Sequence, residues 1–364
     1  MFKLSLFSTV LLFLLFSSMG TSASKAAQDG LEDLESSRLT YGFTFQPRLS
    51  VITEVEEEEA TLGFGILRGF FRTNFQLTED LRFYAQFGNT AAGNYSMLDL
   101  FAEYQFADAW SVKGGRFSGA QPRAAGFTGN RIIESTNRQL AARRWTQLRG
   151  DLRDFGVETR YAEGAHDLRF YLSNGDGRYP TGNLRSEADS RPASAMMDRS
   201  PSLSAYYNHT LNEGVSLGGY TGFSLGSETA VGETAYQAGS VHYYHGALPG
   251  SRDTRFKAEI MGWNFSDDVV LGENEAGLIQ WGGYILAAQR ISDYTEIIGS
   301  FDFYDGNTEG AHEEYKISVG LQYSLAERFG GSFHDDRIMF MVQPYFSEER
   351  GDRVAAILQL QLSI

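Results

Sequence analysis

The sequence predicts an all-β chain: a sixteen-stranded antiparallel transmembrane β-barrel whose third external loop folds inward. Three observations carry that prediction. Apolar and polar residues alternate with period two from Leu39 to the C-terminus, the pattern of strands that separate an apolar environment from water. The connections between these stretches alternate between short and long, so every second one lies on the same side, as in barrels with short turns on one side of an outer membrane and long loops on the other. Finally, the 31 residues from Ser118 to Leu148 show no strand alternation and carry five arginines against one acid, in a chain whose formal charge is −15.

In chain order, Lys3 is followed by an apolar run from Leu4 to Phe16 and by small residues from Ser17 through Ala27. That is the layout of a secretory signal peptide, and the run is shorter than the roughly 20 residues of a spanning helix. Cleavage after Ala26 or Ala23 fits, so residues 1–26 are expected to be a leader and 27–364 one barrel domain. The remainder has no 18-residue apolar stretch, which excludes a helical membrane protein. Cysteine is absent, so an exported chain of this length is held together by something other than disulfides. With Lys3 and Lys25 removed, 46 acidic side chains stand against 29 basic ones, a balance that excludes nucleic-acid partners. Forty glycines, 27 Phe and 19 Tyr with only 7 prolines suit strands joined by close turns.

Sixteen alternating segments follow: 38–47, 60–77, 80–88, 97–106, 109–117, 149–161, 167–174, 201–210, 214–225, 233–245, 253–265, 276–290, 294–304, 314–324, 336–346 and 353–364. The last is the cleanest, with Leu358, Leu360, Leu362 and Ile364 on one face and Gln359, Gln361 and Ser363 on the other. Tight connections at 78–80, 107–108, 162–166, 211–213 and 291–293 alternate with hydrophilic ones at 89–96, 118–148, 175–200, 266–275 and 305–313. The connection around 326–335 is longer than its place in this pattern predicts. A soluble sandwich or propeller would not keep one face so consistently charged. A transmembrane barrel does, with lipid outside and a water channel within. Trp110, Tyr104, Phe106, Tyr161, Tyr207, Trp263, Phe265, Tyr323 and Phe346 near strand ends would form interfacial belts.

The Ser118 to Leu148 stretch is where selectivity would arise, because an unfilled sixteen-stranded lumen discriminates little unless something projects into it. Arg123, Arg131, Arg138, Arg143 and Arg144 would constrict the pore and guide anions, since guanidinium stays charged and holds carboxylate or phosphate oxygens in a fork. A coat of arginines on an external loop, binding lipopolysaccharide phosphates, is the plainer alternative. Gln139 to Trp145 could form one or two helical turns. Parity places Arg68, Arg72, Arg82, Arg160 and Arg169 on the lumen-facing wall, where Asp99, Glu103, Asp154 and Glu158 could neutralise them. Glu54 to Glu59, interrupted only by Val55, reads as a solvated external tip. The string Gly222-Phe223-Ser224-Leu225-Gly226 lacks the strand-to-helix turn a nucleophile elbow needs. Ser240 and His242 share a strand face with no third partner at a telling spacing. No His, Cys or carboxylate cluster has metal-ligand spacing, so no enzyme, metal or cofactor is expected.

Val112-Lys113-Gly114-Gly115-Arg116-Phe117, the long arginine-bearing loop, and Arg153-Asp154-Phe155-Gly156-Val157 resemble the phosphate-selective porins of Gram-negative outer membranes. Asp99-Leu100-Phe101-Ala102-Glu103-Tyr104, a short turn and Trp110 resemble the strand leading into that region. The likeness is clear over about residues 70–162. It implies a homotrimeric porin embedded in the bilayer and lipopolysaccharide, a channel for small hydrophilic solutes with a mild preference for phosphate-like anions. In that resemblance the five loop arginines are the guiding residues, flanked by Arg116 and Arg153. The competing expectation is a plugged structural or adhesive barrel that binds an external partner through its loops.

Overall fold

Alternation along the chain becomes alternation of burial. In β14 (Glu313–Ser324) every second side chain, including Glu314, Lys316, Ser318 and Gln322, is buried, while Tyr315, Ile317, Val319 and Leu321 are exposed. The polar set faces inward and the apolar set outward, the reverse of a water-soluble sandwich. The computed structural model describes residues 38–56, 59–89, 95–127, 134–148, 152–173, 202–212, 214–224, 236–246, 254–265, 279–306, 313–327, 335–348 and 351–363. The chain divides into two compact units, Met1–Thr40 and Tyr41–Ile364. The leader expected at 1–26 lies outside the described residues.

The remaining strands are β1 (Leu39–Glu54), β2 (Glu59–Gln76), β3 (Leu81–Asn89), β4 (Tyr95–Ala107), β5 (Trp110–Ser118), β6 (Arg153–Glu163), β7 (His166–Ser173) and β8 (Ser202–Asn212), followed by β9 (Val215–Ser224), β10 (Tyr236–His245), β11 (Arg255–Phe265), β12 (Ile279–Arg290), β13 (Thr295–Asp305), β15 (Arg337–Ser347) and β16 (Arg353–Ser363). Each pairs with its sequence neighbours, and β1 closes on β16, giving a closed antiparallel barrel of sixteen strands. The seam keeps the same parity: Phe45 opposes Leu362 and Leu49 opposes Leu358, while inside Gln46 donates to Gln361 at 2.7 Å. Two-residue reversals use Gly164 and Gly214 at φ +55° and +92°, a backbone region that only glycine enters cheaply. The connection between β14 and β15 is closed at its base by Leu325 and Ala326 N–H groups donating to the Asp336 carbonyl.

Two expectations change. β1 continues past residue 47 to Glu54, because Pro47 removes only one donor and the β16 register resumes unshifted at Arg48 opposite Gln359. Trp263 does not belong to an interfacial belt: it is 2% exposed and faces inward, whereas Trp110, Tyr104, Phe106, Tyr207 and Phe346 are exposed as expected. Glu56 and Glu59 are exposed at the tip between β1 and β2, and residues 57–58 lie outside the described part.

β2 outgrows its neighbour. Pairing with β3 ends where Phe70 opposes Gly88. Beyond it the Asn89 side chain accepts from Gly69 N–H at 2.5 Å and donates to the Leu67 carbonyl at 3.3 Å. Residues 59–66 are exposed on both faces, with Leu62 at 69% and Phe64 at 79%.

The outward apolar face makes a direct prediction. Replacing exposed Val319 by Arg should cost about 2–4 kcal/mol in folding stability near a bilayer midplane. Equilibrium denaturation in phospholipid vesicles measures it, with Val319→Leu as the near-neutral control.

Candidate functional site: the arginine-bearing segment and the inner wall

The segment after β5 folds locally because of its composition. A π-helical turn spans Arg123–Phe127, and a nine-residue helix, α1, spans Leu140–Leu148, longer than the one or two turns expected. Leu, Ala, Arg and Gln are good helix formers, but nine residues do not hold a helix in isolation. The wall supplies what is missing. Glu259 on β11 accepts the Arg123 and Ala124 N–H groups, both at 2.8 Å, and Asp302 on β13 accepts Leu140 N–H at 3.0 Å. Carboxylates thus satisfy the orphan donors at both N-termini from across the barrel, where the helix dipole also favours negative charge.

Apolar burial adds to this. Trp145 is fully buried, packs on Trp263 with ring centroids 5.4 Å apart and on Tyr220 at 6.3 Å, and donates to Gln121 at 3.0 Å. Ala141 meets β12 at Gly282, where a side-chain carbon would come within 2.9 Å of the Ala141 Cβ. Glycine is therefore required for α1 to approach this closely. The segment's contacts run to inner-face residues of β1 and of β7 to β15. Ser204 donates to Ala120, Thr136 N–H reaches the Met341 sulfur, Asn137 donates to Gln343, and Lys316 donates to the Arg138 carbonyl.

The five loop arginines have different places. Arg123 is held against the wall, donating to Asn208 at 2.6 Å and Ser216 at 2.7 Å, with its guanidinium 4.1 Å from the Tyr244 ring centroid. Arg144 pairs with Glu314 on β14. Both fasten the segment. Arg131 lies outside the described residues. Arg138 donates to the Ala124 carbonyl. Desolvation, with Arg153 nearby, lowers its pKa to about 10, so it stays charged at neutral pH. Arg143 is exposed and lies within electrostatic range of Arg48, Arg144 and Arg353.

The five arginines expected on the wall share strand parity with buried residues such as Phe70, Gln86, Glu158 and Tyr171, and three are in ion pairs. Arg82 pairs with Glu103, and Arg160 and Arg169 share Asp167 at 2.9 and 2.8 Å. Arg68 donates to Gln46 at 3.1 Å and Arg72 to Thr44. Glu158 is taken by Lys113 at 2.9 Å and Asp99 by Arg153 at 2.9 Å. Arg116 is buried and donates to the Met97 and Leu98 carbonyls, so it belongs to the wall. Arg48 was missed, sitting just beyond Pro47. It donates to Gln359 at 2.8 Å, to Asn137 at 3.1 Å and to the Thr136 carbonyl. Its parity with Gln46 was the available signal. Arg353, stacked 4.2 Å over Tyr345, was missed as well. Among the described residues, none of Arg48, Arg68 and Arg143 is in an ion pair.

The enzyme-like strings resolve into wall contacts: Ser240 donates to Glu259 at 3.1 Å and the His242 Nε2 contacts Asn208 at 3.0 Å. Ser224 ends β9.

No protein-family model matches the chain, and no curated protein does. Solved structures do. OmpF of Salmonella typhi in complex with daunomycin is 11% identical, with 90% of this chain and 97% of that one covered and a TM-score of 0.61. OprB of Pseudomonas putida at high pH is 9% identical over 93% and 96%, with a TM-score of 0.62. Outer-membrane expressed OmpT of Vibrio cholerae is 10% identical over 91% and 99%, at 0.55. At such identities the likeness is one of fold.

The packing gives a testable consequence. Trp145→Ala empties the seat of α1 and should cost about 3–5 kcal/mol. Comparing urea midpoints of the variant and the parent chain in detergent measures the loss.

Proposed function

We propose that the chain is an outer-membrane porin, a water-filled channel for passive diffusion of small hydrophilic solutes with a mild preference for anions. The observation that carries this reading is the arrangement around Arg143. Arg48 and Arg353 lie within its electrostatic range, and Arg68 within that of Arg138 and Arg48. The Arg48, Arg68 and Arg143 side chains keep their charge uncompensated by any ion pair among the described residues. Basic groups lining a narrowing favour anions, and guanidinium matches planar or tetrahedral oxyanions.

This reading has the loop folded inward, and the same contacts support it. The segment touches β1 and β7 to β15, and the inner face there is closed off, with Glu296, Asp302 and Arg337 at 0% exposure. On β2 to β6, Gln86, Asp99, Arg116, Asp154 and Glu158 are buried while Arg68, Arg72, Arg82, Glu103, Lys113 and Arg160 are half-buried. In this reading the aqueous passage runs beside the half-buried groups of β2 to β6, with the segment as its opposite bank. Phosphate-like solutes, a homotrimer set in bilayer and lipopolysaccharide, and a cleaved leader belong to this reading. The fold it shares with outer-membrane porins supports it. The packed core around Trp145 also suits a plugged barrel, which would carry no steady current.

Planar-bilayer recording separates these. The parent chain should show single-channel steps and, in a potassium chloride gradient, a reversal potential on the chloride side. One unit charge at 4 Å in water is worth about 1 kcal/mol, about fivefold in a permeability ratio. Arg143→Ala and Arg48→Ala should each lower the chloride-to-potassium ratio by about two- to fivefold. Cation selectivity in the parent, or a ratio unmoved in both variants, refutes the anion preference, and absence of steps refutes the channel.

A further inference from the structure

We propose that Glu134 is the positioning residue of the arginine-bearing segment, and that Lys257 on β11 is the socket that fixes it. Glu134 is the one acid between Ser118 and Leu148 and is 4% exposed. Its carboxylate pairs with Lys257 Nζ and lies 3.6 Å from Arg255 Nε. Arg255 is joined to Glu296 at 2.5 Å, Gln322 donates to the same carboxylate, and Arg337 donates to Gln322 at 2.9 Å. Glu134 therefore plugs the segment into a buried network spread over β11, β13, β14 and β15.

Two features make this attachment different from the others. At Glu259, Asp302 and Glu314 the wall supplies the acid and the segment the donor. At Glu134 the polarity is reversed. An acid inside the barrel finds stabilisation only beside cations, so the reversed pair excludes shifted placements that the acid-accepting sites alone would tolerate. The charge balance points the same way. With Glu134 removed, Lys257 loses its ion-pair partner among the described residues while Arg255 keeps Glu296, and an uncompensated buried charge is strongly unfavourable. Burial opposes ionisation of Glu134, but Lys257 and Arg255 more than offset it and hold its carboxyl below the usual carboxylate range. Arg138 and Arg143 follow shortly after Glu134 in the chain, so its seat sets where their guanidinium groups stand relative to Arg48 and Arg68. The inference rests on the channel reading above.

Bilayer recording on the full chain tests it with Glu134→Gln, Lys257→Met and the double variant, folding being checked by heat-dependent gel mobility. Each single variant should raise single-channel conductance about twofold, increase open-channel noise and lower the chloride-to-potassium ratio. The double variant should deviate less than either single, because it removes both members of a coupled pair. Singles indistinguishable from the parent, or effects that merely add in the double, overturn the proposal. If Glu134→Gln does not fold, Glu134→Asp keeps the charge and withdraws it by one methylene. Raised noise then supports the proposal, and parental noise and selectivity overturn it. Conductance and noise report placement even if the parent proves unselective, so failure of the anion preference and failure of this lock remain distinguishable.

Discussion

Closure of the sheet is the constraint on which everything else depends. A strand carries unsatisfied N–H and C=O groups along each edge, and pairing β1 with β16 removes the last edges over most of the wall. Once closed, the sheet has two inequivalent faces with a two-residue alternation between them. Side chains such as Val319 and Ile317 cannot exchange faces with Ser318 and Lys316 without shifting a whole strand by one residue. The polar interior is therefore imposed by connectivity, and the charged residues there are free to become functional.

The interior is not uniform. A helix too short to stand alone is held by the Asp302 carboxylate at its start, by Arg144 and Glu314 along its length, and by the Trp145, Trp263 and Tyr220 cluster beneath it. These contacts bury the helix against the strands it touches, much as in an ordinary protein core. Strands β2 to β6 keep half-buried charged groups, some in ion pairs and some with neutral partners. The arginines of this segment are not equivalent. Arg123 and Arg144 are fasteners. Arg143 is not.

The sequence made the strands legible because their signal is local: Leu358, Leu360 and Leu362 state their face without reference to anything distant. Parity alone also groups Arg68, Arg72, Arg82, Arg160 and Arg169 with the polar face of their strands. Partners were another matter. Asp167 serving both Arg160 and Arg169 depends on strand register, and the acids nominated for the wall partly serve Lys113 and Arg153 instead. Trp263 looked like a belt residue by its place near a strand end, yet its parity with Arg255, Lys257 and Glu259 on β11 put it on their face, where Trp145, more than a hundred residues earlier, packs on it. Arg48 was concealed by Pro47, which ends many strands but costs a single hydrogen bond here. The division of labour among the loop arginines depends on Asn208, Ser216 and Glu314, which no spacing within the loop could indicate.

One margin of the wall escapes pairing among the described residues, where β2 runs on beside β1 past its last partner on β3 and Asn89 caps only the first exposed groups on that side. Hydrocarbon does not tolerate a bare strand margin. Where no other group covers that margin, an acyl layer would stop near the height of Gly69 in this sector, with Leu62 and Phe64 among headgroups or above them. A single asparagine side chain thus marks the waterline of the molecule on that flank.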